Sequence, residues 1–204
     1  MSRKPKILAL AGSLRQHSYS QRVLRTAIKG AEKAGAAVTL IDLGEYPMPI
    51  YNPDDHENNG FDANALRFQG LLTEHDGFLI ASPEYNGSLP AALKNAIDWA
   101  SRPGDRYPRS EIFQGKFAAI MTVSPGSFGG VRALSHLRGV LMSVGVNVLS
   151  AEIAVSFVGS KFDGDSEAMT DEKTKNNLEK LGASLVEMLE KMRWQPEFKL
   201  GTSR

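Results

Sequence analysis

Two short stretches carry residue types from which a ligand site can be built: Gly12-Ser13-Leu14-Arg15-Gln16-His17-Ser18 and Ser82-Pro83-Glu84-Tyr85-Asn86-Gly87-Ser88. Each follows an apolar run that reads as a strand, and each precedes a helical pattern. The first has the chemistry of an anion cradle. A phosphate needs converging donors, and a helix N-terminus offers free backbone N–H groups with a favourable dipole. Ser13, Ser18 and Ser20 add hydroxyls, Arg15 adds a charge-assisted fork, and Gly12 allows a tight turn, with Tyr19 in the same set at the helix start. The same serines also suit helix capping, with Arg15 in solvent, and the residues alone leave both readings open. No Gly-Lys-Ser/Thr follows, and the Gly-x-Gly-x-x-Gly fingerprint is absent, so a monophosphate fits better than a nucleoside triphosphate.

The second stretch suits a flat heterocycle held by its edge. Pro83, Glu84, Tyr85, Asn86 and Gly87 combine a rigid residue, an aromatic ring and turn-forming types, which can present backbone N–H and C=O groups outward. A plain turn with Glu84 in solvent has the same composition. A third stretch, Ser124-Pro125-Gly126-Ser127-Phe128-Gly129-Gly130, also follows an apolar run and is read either as a third contact, through Ser124 and Gly126, or as a βα loop.

Other residues narrow the chemistry. Cysteine is absent, which removes disulfides, thiolate metal sites and thiol catalysis; any redox activity must come from a bound cofactor. This absence also fits a cytoplasmic protein. His17, His56, His75 and His136 have no metal-ligand spacing, so no metal is assigned. No Gly-x-Ser-x-Gly elbow and no catalytic dyad can be read, so no catalytic residue is assigned. Trp99 is expected to pack against a neighbour. Arg102, Arg106 and Arg109 are expected in solvent, with pyridine-nucleotide phosphate contact as the alternative.

The elements that must position these residues follow from periodicity. Residues 6–11, 37–42, 77–81, 116–123 and 146–149 read as strands. Helical patterns occupy 18–34, 62–74, 90–101 and the stretch carrying Leu134, Leu137, Leu141 and Val144. A final helix carries Leu178, Leu181, Leu185, Met188 and Met192, a stripe expected in the core. Residues 44–60 and 102–115 read as loops. The 204 residues form one expected domain, and a net charge of +1 gives no case for nucleic acid or an anionic membrane surface. No apolar run has membrane-spanning length.

Alternating strands and helices imply a parallel sheet covered on both faces. Five strands fit an α/β, flavodoxin-like three-layer sandwich of order 2-1-3-4-5. In that order the winding reverses between the first and third strands, and ligands bind there, beyond the carboxyl ends. The two stretches follow those two strands, which points to flavin mononucleotide (FMN).

Gly-Ser-Leu-Arg-x-x-Ser at 12–18 and Ser-Pro-Glu-Tyr-Asn-Gly-Ser-Leu-Pro-Ala-Ala-Leu-Lys-Asn-Ala-Ile-Asp-Trp at 82–99 resemble the NADPH-dependent FMN reductase family over about residues 6–155. The resemblance implies phosphate contacts at Ser13, Arg15, Ser18 and Ser20, and an isoalloxazine loop at Pro83, Glu84, Tyr85, Asn86 and Gly87. It implies a third contact at Ser124 and its neighbours. Ser20 stands where the family usually carries Asn. NADPH or NADH is the implied co-substrate, and quinones, flavin, azo dyes or metal oxyanions are the implied small-molecule acceptors. A homodimer or homotetramer is implied too. A flavodoxin-type electron carrier is the alternative, against which the near-neutral charge argues.

Overall fold

The structure is a computed structural model and describes residues 3–102, 106–164 and 166–193. Strand β1 (Lys6–Ala11) leads into helix α1 (Tyr19–Lys33), and β2 (Ala37–Ile41) follows. Helices α2 (Pro53–Asn59) and α3 (Ala63–Glu74) precede β3 (Gly77–Pro83) and α4 (Ala91–Ala100). The short α5 (Arg109–Ile112), β4 (Phe117–Val123) and α6 (Val131–Ser143) come next. Strands β5 (Asn147–Val148) and β6 (Ile153–Val155) and the long α7 (Glu172–Arg193) complete the described chain. The sheet is parallel, in the expected order β2-β1-β3-β4-β5, with β6 also paired to β4. Ile7 faces Val38 on one side and Gly77 on the other, and Gly77 in turn faces Phe117.

The inner strands read as unbroken apolar runs because both sheet faces are covered. Ile7, Ala9, Leu79, Ala119 and Met121 pack under α1 and α7, while Leu8, Leu10, Phe78, Ile80 and Ile120 pack under α3, α4 and α6. Helices α1 and α7 approach so closely that a Cβ on Gly30 would lie 1.9 Å from the Glu179 carbonyl oxygen, and one on Gly182 would lie 2.0 Å from that of Ala27. Trp99 is buried as expected, crossing Tyr51 edge-on at 5.0 Å and donating from Nε1 to the Pro49 carbonyl at 2.8 Å.

Five expectations need correction. The fifth sheet position is not one strand over 146–149 but two pieces: β5 pairs with the start of β4, and β6 pairs with its end. Arg138 of α6 bridges the break, donating to the Leu149 carbonyl and the Glu152 carboxylate. The 44–60 stretch contains α2, which Asn52 caps and Pro53 opens; its faces are polar throughout, so no apolar period announced it. Residues 102–115 include α5, and Pro103, Gly104 and Asp105 of that stretch lie outside the described residues. Arg102 does not project freely into solvent: it donates to the Asp98 carbonyl and lies over Tyr51, whereas Arg106 is exposed. The α7 stripe enters the core through Leu178, Leu181, Leu185, Val186 and Leu189, leaving Met192 exposed and Met188 at the surface boundary.

Candidate functional site

The three stretches emerge together from the carboxyl ends of β1, β3 and β4. In the first, the Gly12 N–H donates to the Ala81 carbonyl at 2.8 Å, carrying β1 pairing into the loop. Gly12 also admits Leu93: a Cβ there would meet that side chain at 2.9 Å. Ser13 Oγ accepts from the Arg15 N–H at 3.2 Å, which folds the loop back, and His17 takes a left-handed conformation with φ 55°. Ser18 is the N-cap of α1, its Oγ accepting from the Gln21 N–H at 3.2 Å. Capping is therefore real, and it does not exhaust the site. Ser18 and Ser20 share one hydrogen bond at 3.1 Å between two hydroxyls, which leaves one hydroxyl proton over. The N–H groups of Tyr19 and Ser20 have no acceptor one turn back, as at any helix start. Ser13, Ser18 and Ser20 are buried; Arg15 is exposed at the rim. Buried hydroxyls, free N–H groups and a rim guanidinium form a donor set that fits a phosphate monoester.

The second stretch closes on itself. Tyr85 and Ser88 exchange both backbone hydrogen bonds, at 2.9 and 3.1 Å, around Asn86 (φ 50°) and Gly87 (φ 82°). Two positive φ angles at the central residues define a type I′ turn, which Asn-Gly favours. Among the described residues, the N–H groups of Asn86 and Gly87 donate to no protein acceptor. They fit the carbonyl and ring-nitrogen edge of a flavin. Tyr85 is exposed, Pro83 is half-buried, and Ser82 is buried with its hydroxyl donating to the Pro83 carbonyl.

Glu84 corrects the solvated reading. Its side chain is only 9% exposed, and Arg132 donates to its Oε1 from Nε at 3.0 Å and from a terminal nitrogen at 2.7 Å. The Ala133 N–H, in the first turn of α6, donates to Oε2 at 3.2 Å. Burial alone would raise the Glu84 pKa; the Arg132 and Ala133 hydrogen bonds outweigh it and hold the carboxyl below the ordinary range. Ser88 Oγ also meets His136 Nδ1 at 3.0 Å. Two α6 side chains thus clamp the second loop, and the sequence placed neither at it: His136 was weighed only as a metal ligand, and Arg132 is 48 positions from Glu84, with no local pattern joining them.

The third stretch is anchored from below. Ser124 Oγ accepts from the Gly126 N–H at 3.1 Å, and Thr122 Oγ1 donates to the Gly129 carbonyl at 3.0 Å. The Phe157 N–H donates to the Gly126 carbonyl at 3.1 Å, which ties the chain after β6 to this loop. Phe128 stands 71% exposed above it. Beside Leu14 of the first loop, a recess of about 220 Å³ is lined by Leu43, Tyr46, Met48, Ala92 and Asn95.

The model of the NADPH-dependent FMN reductase family matches residues 5–159. An NAD(P)H-dependent FMN reductase of Pseudomonas aeruginosa is 39% identical over 172 residues, covering 84% of this chain and 88% of that protein. A quinone reductase of Escherichia coli is 34% identical over 179 residues, covering 87% and 92%. Among solved structures, the flavoenzyme NAD(P)H:(acceptor) oxidoreductase FerB of Paracoccus denitrificans superposes with a TM-score of 0.76 at 30% identity, covering 92% of this chain and 98% of that one. Taken with the matching sheet order and the loops at its switch point, these similarities show that the chain belongs to the NADPH-dependent FMN reductase family.

Proposed function

We propose that the protein passes electrons from NAD(P)H through FMN to a small-molecule acceptor of the quinone, flavin, azo or metal-oxyanion type. The observation that carries this reading is the pairing of two unspent donor sets at one switch point: the α1 N-terminus with Ser18, Ser20 and Arg15, and the Asn86 and Gly87 N–H groups. Ser13, Arg15, Ser18, Tyr19 and Ser20 hold the phosphate end. Pro83, Glu84, Tyr85, Asn86 and Gly87 hold the ring, with Ser124 and Gly126 at its far side. FMN bound there would supply the redox chemistry that links NAD(P)H to the acceptor. This chain's part is to orient the ring edge, to hold Tyr85 and the third loop beside it, and to leave one face open to the two substrates in turn, a ping-pong scheme. No side chain is assigned a proton transfer. A homodimer or homotetramer in the cytoplasm completes the reading.

The test is the visible spectrum of the purified protein, with FMN added as needed, followed by anaerobic NADPH and then NADH. A bound-flavin spectrum that bleaches promptly is expected. Bound flavin that neither nucleotide bleaches would make the protein an electron carrier, and absence of bound flavin would overturn the assignment of both loops.

A further inference from the structure

Arg22 lies one turn beyond the Ser18 cap, its N–H donating to the Ser18 carbonyl at 3.2 Å, and the residue is only 4% exposed. A buried cation in the first turns of a helix opposes the helix dipole and loses its hydration. Part of the compensation is visible. The guanidinium donates to the Gly164 carbonyl at 2.9 Å and to the Ser166 carbonyl, and it lies 4.0 Å from the Phe162 ring centroid and 5.2 Å from that of Tyr19. Among the described residues, its Nε is buried without a partner. Among the described residues, the Glu167 carboxylate pairs with Arg25 and that of Asp171 with Lys161. Tyr19 also reaches this segment, its ring 6.1 Å from that of Phe162. Arg22 therefore staples the chain after β6 onto the first turn of α1. That chain begins at Phe157, whose N–H already holds the third loop.

Resting on the FMN reading above, the geometry points to Arg22 as a positioning residue that couples phosphate occupancy at the α1 N-terminus to docking of residues 157–164. An anion at the helix start relieves the electrostatic cost of the buried guanidinium, and the docked segment in turn keeps Tyr19 and the cap in place. The two events reinforce each other. Titrations of Arg22→Met and Arg22→Lys with FMN and with riboflavin, alongside hydrogen exchange of residues 157–164, test this. The methionine variant is expected to lose about tenfold in FMN affinity while riboflavin affinity changes little, and the lysine variant to fall between it and the unmodified protein. FMN, but not riboflavin, is expected to slow exchange in residues 157–164 of the unmodified protein only. Equal losses for both flavins, or none for either, would overturn the proposal while leaving the FMN reading intact. Failure of the unmodified protein to bind FMN would overturn both. Should Arg22→Met fail to fold, the lysine variant and the exchange measurement on the unmodified protein decide the matter.

Discussion

Arg15 and Glu84 do different work at the two ends of the proposed ligand. Arg15 is exposed, so in the proposed site its contribution would be a charge-assisted bond formed only with the phosphate. Arg15→Ala is expected to weaken FMN binding by about tenfold, with little change in turnover once FMN saturates the protein. Unchanged affinity in a fluorescence titration would remove Arg15 from the phosphate set. Glu84 touches the ligand end only through its loop, because Arg132 and the α6 N-terminus hold its carboxylate. Glu84→Gln is expected to lower riboflavin and FMN affinity alike. The folded-state pKa of Glu84 lies below its ordinary value, so the clamp is fully present above the ordinary carboxylate range and is lost as pH falls through the folded value. Flavin release followed down a pH series should show that acid limb, and Glu84→Gln should flatten it.

At the scale of elements, the seam between α1 and α7 sets the position of the loop proposed to hold the phosphate. Helix α1 carries the cradle at its start and Gly30 near its end, where α7 presses against it. Gly182→Ala would place a methyl 2.0 Å from the Ala27 carbonyl oxygen, and only a backbone shift relieves that contact. The cost is about 1–3 kcal/mol, offset by less than about 1 kcal/mol of improved helix propensity. Urea denaturation should therefore show a net loss of stability. Flavin affinity should fall with it if α1 moves; a variant as stable as the parent would mean the helices separate freely. Arg138 has the same standing at the other edge, where it spans the gap between β5 and β6 that no regular strand covers.

At the scale of the whole molecule, the end opposite the site is closed by Asp76. Its carboxylate accepts from Arg3, from Arg193 at the end of α7 and from the Lys6 N–H, so one residue binds the start of the described chain to its last helix. Burial would raise the Asp76 pKa, and the Lys6 N–H, Arg193 and Arg3 hydrogen bonds more than reverse this. Because the folded value is depressed, this stabilisation is present above the ordinary carboxylate range and disappears as pH falls through the folded value. Asp76→Asn is expected to cost about 1–3 kcal/mol near neutral pH. It should cost progressively less as the solution is acidified; a pH-independent loss in denaturant titrations would assign the effect to packing rather than charge.

Much of this was already written in the order of residues along the chain. Unbroken apolar runs made residues 6–11 and 77–81 inner parallel strands, and the serines after the first strand announced a capped helix. The switch point followed from alternation alone, and Asn86-Gly87 carried its own turn chemistry. These are local signals, set by side-chain period, backbone sterics and capping. The polar α2, the split between β5 and β6, the Glu84–Arg132 clamp and the burial of Arg22 were not legible in that way. Each depends on which distant segments the sheet brings into contact: a charge next to another loop is solvated or paired according to what lies across the crevice. The sequence by itself determined the elements, their order and the donor chemistry of two loops; only the tertiary structure decided which side chains hold those loops still.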